Sequence, residues 1–199
     1  MLIIEMSAIV QVGMKIAFTG DVMLGRLVNS VLSNDKFTYV WGDTLNVIRA
    51  ADLSLINLEC VVSSVGKEWD KTFKVFHFRA HPEAINVLKV AGIDYVSLAN
   101  NHVLDYDNEA LIEMLDLLDK NEIRHSGAGR NLKEAMEPAI LNTNKRTKPK
   151  SVSSSSKNNN DHDICVVKIG LVSLTDNEPE WEATENSPGI NYIPIKLRK

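Results

Sequence analysis

The sequence predicts one α/β domain, a layered central sheet with flanking helices. Three observations predict it. Short apolar runs that read as buried strands alternate with segments of helical periodicity. The 199 residues suffice for a single domain with a sizeable core. Three of the strand-like runs end in polar signatures: Gly20-Asp21, Asn57-Leu58-Glu59, and Asn100-Asn101-His102 followed by Asp105. In α/β sheets, ligands bind at the carboxyl ends of strands.

Lys15 to Phe18 reads as the first strand and Thr19-Gly20-Asp21 as the turn after it. Leu24 to Leu32 reads as a short helix, and Asp43 to Ala51 as another with Leu45, Ile48 and Ala51 on one side. The strand from Leu53 to Asn57 leads into Glu59. Val61 to Ala80 alternates irregularly and reads as a hairpin or an ordered loop. Pro82 suits the first turn of a helix that stops at Gly92. Asp94 to Ala99 is a strand, and Asn108 to Asn121 is the clearest amphipathic helix, with Leu111, Met114, Leu115 and Leu118 on one face. Ser126 to Gly129 is a tight turn into a helix near Leu132 to Met136. Asn142 to Asp163 breaks the composition with basic, serine and asparagine runs, so a disordered insert is expected at about 143–163. Ile164 to Leu174 is strand-like again. After Asp176 the chain is polar and irregular, with no closing element evident.

Composition narrows the function. Hydrophobic residues make up 44% and charged residues 24%, as in ordinary globular proteins. The net charge of −4 argues against nucleic-acid and acidic-membrane partners. Cys60 and Cys165 are too few for a disulfide framework and read as small buried side chains. Met1 to Val12 is mostly apolar, but it carries Glu5 and no basic head, and it is too short for a membrane span. The reading is an extension over 1–13 before a domain at 14–199, and a cytoplasmic product.

Asp, Glu, Asn and His supply the oxygen and nitrogen ligands of hard and borderline divalent metals. Singly, Asp21 and Glu59 would read as caps of helices or turns. Three signatures on one sheet edge point instead to a metal-centred site. Arg26 and Arg79 are candidates for holding an anionic substrate, with surface ion pairs as the equal alternative. His77 and His81 read as structural, and Trp41, Trp69 and Trp181 as core or cleft packing.

The stretches Phe18-Thr-Gly-Asp-Val-Met-Leu-Gly-Arg26, Ile56-Asn-Leu-Glu59, Phe78-Arg-Ala-His-Pro82, Ala91-Gly-Ile-Asp94, Val96-Ser-Leu-Ala-Asn-Asn-His102 with Asp105-Tyr106, and Gly127-Ala-Gly-Arg-Asn131 resemble the CapA family of poly-γ-glutamate capsule biosynthesis proteins. The likeness covers roughly 14 to 142 and resumes at Ile164. It implies a fold like the calcineurin-type metallophosphoesterases, incomplete here, and a metal-dependent hydrolase-like activity in making or processing a surface polymer. Asp21, Glu59 and Asn101 would be metal ligands, with Glu59 bridging two metals. Asn57 would shape the turn or the surrounding shell and, with Asn100, Arg26 and Arg79, approach the substrate. His102 would be a general acid or a leaving-group contact, held by Asp105. The resemblance implies divalent cofactors (Mn, Fe, Zn or Mg), an anionic polymer or phosphoester-type substrate, and surface association in some members.

Two departures stand out. Asp107 occupies a place where the family carries glycine, a replacement tolerated if the backbone angle there is ordinary. The later His-Trp-Gly and His-x-His motifs that the resemblance implies are absent. The chain therefore reads as the amino-terminal part of the family domain, with a second chain carrying the rest as one expected partner. The alternative function is a non-catalytic module that binds a polymer or a partner chain.

Overall fold

The computed structural model describes residues 13–32, 37–146 and 164–195. Its centre is a four-stranded parallel sheet ordered β1 (Ile16–Val22), β2 (Leu53–Leu58), β5 (Tyr95–Ser97) and β6 (Arg124–Ser126). Between β1 and β2 lie α1 (Arg26–Leu32), a 3₁₀ turn at Tyr39–Trp41 and α2 (Thr44–Arg49). Between β2 and β5 come β3 (Val61–Val62), β4 (Arg79–Ala80) and α3 (Ile85–Ala91). The connection from β5 to β6 is α4 (Asp107–Lys120). Helical crossovers are what parallel strands require.

The alternation along β2 sets the layers. Ile56 and Leu58 join the main core, with Val96 and Leu98 from the β5 region. Val87, Leu88 and Ala91 of α3, and Leu111, Met114, Leu115 and Leu118 of α4, complete it. Each of these larger side chains gains about 1.5–3 kcal/mol from burial. Leu53 and Leu55 point the other way, against Tyr95, Ala139 and Leu141. That second face is covered by the antiparallel pair β8 (Ala139–Arg146) and β9 (Ile164–Leu171). The central sheet thus has helices on one side and a β-ribbon on the other.

Several local expectations resolve physically. The 3₁₀ turn at Pro82–Ala84 precedes α3, and His81 caps it by accepting the Glu83 N–H. Gly92 ends α3 with φ of 71°, a left-handed turn that suits glycine. The stretch from Val61 to Ala80 is an ordered loop rather than a hairpin. Its ends, β3 and β4, pair in parallel, so the chain between them makes a full excursion before returning. β8 runs to Arg146, into the region of broken composition, and the rest of the predicted insert lies outside the described residues.

The carboxyl-terminal stretch differs from its irregular reading. β10 (Gly189–Ile190) pairs with β7 (Ala128–Gly129), which α5 (Leu132–Met136) follows. Trp181 is 1% exposed and meets Trp69 edge-on at 5.4 Å. Apolar anchors spaced among polar residues carry no periodicity, which is why the pattern hides them.

The backbone at Asp107 is not ordinary. Its φ is 64°, so a side chain stands where glycine would be unstrained. Asp is among the residues that tolerate this region. Its Oδ1 accepts the Asn108 N–H at 2.8 Å, and Lys71 pairs with it at 2.8 Å. Asp107→Gly should unfold at higher urea than Asp107→Ala, by about 1 kcal/mol. Both variants lose the lysine pair, so only the backbone term separates them. Equal midpoints would contradict the strain.

Candidate functional site

The three polar signatures meet at the carboxyl edge of the parallel sheet. β1 does not end at Phe18 but continues to Val22 through a bulge. Phe18 pairs with Leu55, and Asp21 with Asn57, so three steps on β1 match two on β2. The extra residue turns Asp21 onto the same face as Asn57. Gly20 sits in this bulge with φ of 72°.

Asn57 then joins the two carboxylates. Its Nδ2 donates to Asp21 Oδ1 at 2.9 Å and to Glu59 Oε2. Its Oδ1 accepts from Asn100 Nδ2 at 2.9 Å. Asn100 also donates to the Leu58 carbonyl at 3.0 Å and accepts the His102 N–H at 2.9 Å. Two asparagines therefore tie the ends of β1 and β2 to the loop after β5.

His102 is held on three sides. Its Nδ1 lies 2.6 Å from Asp105 Oδ2, and the same oxygen accepts the Phe78 N–H at 2.6 Å. The Phe78 ring stacks on the imidazole at 4.1 Å. Asp105 is fully buried, and Lys74 Nζ stands 3.4 Å from its other oxygen. A carboxylate at Nδ1 selects the tautomer whose Nε2 presents a lone pair. No hydrogen bond among the described residues engages Nε2.

The remaining predicted residues divide. Asn101 borders a cavity of about 250 Å³ with His102, Lys74, Phe73, Phe76 and Glu178. Its backbone carbonyl accepts from Lys74 at 2.5 Å. Arg26 begins α1 with φ of 53° and places its guanidinium 5.9 Å and 6.0 Å from the rings of Phe76 and Phe78, at the edge of the His102 stack. Arg79 turns elsewhere. Its guanidinium lies 3.9 Å from the Tyr106 ring centroid and faces the carbonyls of Val65 and Gly66. Its chemistry is spent on bracing that loop, away from the carboxylates.

Lys74, Phe78 and Glu178 belong to the site without having been singled out from sequence. The Lys74 side chain is buried while Phe73 and Phe76 near it are exposed, the reverse of what polarity suggests. Glu178 lies 104 positions from Lys74, which it meets at 3.1 Å. No local spacing signals either contact. A larger groove of about 890 Å³ lies beside β6. Its Arg130 is already matched by Asp116, Asp119 and Glu134.

Burial, and next the charge of Asp21, push the Glu59 carboxyl above its ordinary range, while His102 and the Asn57 hydrogen bond pull it down. Among the described residues no group of three or more His, Cys, Asp or Glu gathers as a metal-ligand set. The donors that do converge are the carboxylates of Asp21 and Glu59; oxygen donors of this kind suit a hard ion such as Mg²⁺ or Mn²⁺ that keeps part of its water shell. They fit that kind of cation better than a closed zinc site.

A profile of the bacterial capsule synthesis proteins, PGA_cap, matches residues 15–192. The chain belongs to this family. It is 27% identical over 179 residues to a probable polyglutamine synthesis accessory protein of Mycobacterium tuberculosis, covering 88% of this chain and 42% of that one. It is 28% identical over 126 residues to the capsule biosynthesis protein CapA of Bacillus anthracis, covering 63% and 31%. With the PGA biosynthesis protein CapA of Bacillus subtilis it shares 29% over 119 residues, covering 60% and 31%. The chain thus spans less than half the length of these relatives. No helix among the described residues is long and apolar enough to cross a membrane.

Glu59 gives a pH prediction for the metal-free chain. A carboxyl raised on folding binds more protons in the native than in the unfolded state, so stability falls as pH rises through its titration. Glu59→Gln removes that penalty. The variant should melt above the parent at pH 7, with the gap narrowing as pH drops toward 4.5, the ordinary value of the group. A parent that melts above the variant at pH 7 would contradict the charge crowding.

Proposed function

We propose that this chain carries the catalytic edge of a divalent-cation-dependent hydrolase acting on a phosphoester or related anionic group in surface-polymer synthesis. The observation that carries the reading is the His102–Asp105 pair, with Nε2 open, beside the Asp21–Asn57–Glu59 cluster. In this reading the fold is of the calcineurin-like type, and the names of the Bacillus relatives point to capsule or PGA synthesis as the setting.

Asp21, Glu59 and the Asn101 amide oxygen would hold the cation. When bound, it would activate water and stabilise a departing oxygen. His102, in its protonated form, would deliver a proton from Nε2, the ring nitrogen that no hydrogen bond among the described residues engages. Asp105 keeps the ring in the required tautomer and steadies its charged form. Asn57 and Asn100 hold the carboxylates and the His102 loop in register. Arg26, on the aromatic wall of Phe76 and Phe78, is placed to meet an anionic substrate. An exposed guanidinium held in a strained backbone is a reasonable substrate contact.

A second reading, a non-catalytic module that binds a polymer or a partner chain, draws on the finding that no three His, Cys, Asp or Glu gather as a ligand set among the described residues. Hydrolysis of bis-p-nitrophenyl phosphate and p-nitrophenyl phosphate with Mn²⁺ separates the two. Catalysis predicts turnover that falls about 100-fold or more in Glu59→Ala and in His102→Ala, the usual scale for a lost acid. No turnover, or turnover indifferent to both changes, favours the binding module.

A further inference from the structure

The ammonium of Lys74, on a buried side chain, reaches the proposed centre. Its side chain is 7% exposed. The ammonium donates to the Asn101 carbonyl at 2.5 Å and to Glu178 Oε1 at 3.1 Å, and it faces Asp105 Oδ1 at 3.4 Å. It also lies 4.8 Å from the Trp181 ring centroid. A desolvated ammonium over an indole adds a cation–π attraction.

These partners come from three remote parts of the chain. Lys74 is in the loop between β3 and β4, Asn101 and Asp105 lie before α4, and Glu178 and Trp181 lie after β9. Asp105 Oδ1 has no hydrogen-bond partner in a fully buried position, so the ammonium is its only compensation there. Oδ2 is occupied by the Phe78 N–H and His102. The ammonium therefore sets the twist of the carboxylate, and the carboxylate sets the imidazole. It fixes the backbone of Asn101 from the other side. Glu178, itself at φ of 53°, holds the ammonium in place.

We propose that Lys74, latched by Glu178, is a positioning residue. It orients Asp105, and through it His102, and it fixes the Asn101 backbone for cation binding. The inference rests on the proposed reading for its cation arm alone; the orientation of His102 is independent of any cation. Residues that orient a ligand from behind change metal affinity about 10–100-fold when removed.

The test uses the full chain. Mn²⁺ affinity is titrated for the parent, Lys74→Met and Lys74→Arg, and the His102 Nδ1–H proton is followed by NMR without metal at one fixed pH. The expected result is Mn²⁺ binding at least 10-fold weaker in Lys74→Met, with a shifted or lost Nδ1–H signal, and partial recovery of both in Lys74→Arg. A folded Lys74→Met with the parent's affinity and Nδ1–H signal overturns the proposal. If neither variant folds, the parent decides: its Lys74 ammonium resonance should move with the Asn101 and His102 amides as Mg²⁺ is added, and an ammonium that stays fixed while those amides shift overturns it. A parent that binds neither cation defeats the metal reading alone, and the Nδ1–H signal in Glu178→Gln then decides the latch. It should shift from the parent position, and an unchanged signal overturns the proposal.

Discussion

One amide nitrogen, Asn57 Nδ2, serves two carboxylates at the end of a parallel sheet. The rest of the site follows from that crowding. Asp21 reaches the amide because β1 bulges by one residue and turns it to the right face. Glu59 reaches it because β2 ends one residue after Asn57, at the core residue Leu58, and Glu59 follows directly. The amide oxygen is then free for Asn100, which carries the geometry to His102. Remove the shared amide and two negative charges face each other with no protein group between them.

The other half of the site is built from aromatic and buried ionic contacts. Phe78 supplies a ring to the imidazole and an N–H to Asp105. It can do both because the parallel β3–β4 pair fixes where the long loop returns. The loop carries Arg26's aromatic platform on its outer side and Lys74 on its inner side. A buried pair such as Lys74–Asp105 contributes little net stability against well-packed apolar groups. Its placement beside His102 makes better sense as a geometric constraint than as a source of folding energy.

Much of this was legible in the residues. The first half of β1, β2, β5, β9, α3, α4 and the three signatures follow from apolar periodicity, from Pro82 and Gly92 as punctuation, and from polar residues at strand ends, whereas β6 and β8 were not read as strands. The bulge was not legible, because Thr19-Gly20-Asp21 has the composition of a turn whether or not β1 continues through it. Nor was the role of Lys74, since a lysine between Phe73 and Val75 reads as the solvated position of a strand. Membership of the capsule synthesis family came from motif order. The positive φ at Asp107 came only from the backbone, because Asp is compatible with both the ordinary and the left-handed region.

The central claim is that Asp21 and Glu59 share a cation. Crystals of the full chain grown with Mn²⁺ and measured at the manganese absorption edge test this most directly. A shared cation would give an anomalous peak within about 2.0–2.4 Å of an oxygen from each carboxylate. Well-ordered carboxylates without such a peak at millimolar Mn²⁺, still bridged by Asn57, would contradict it.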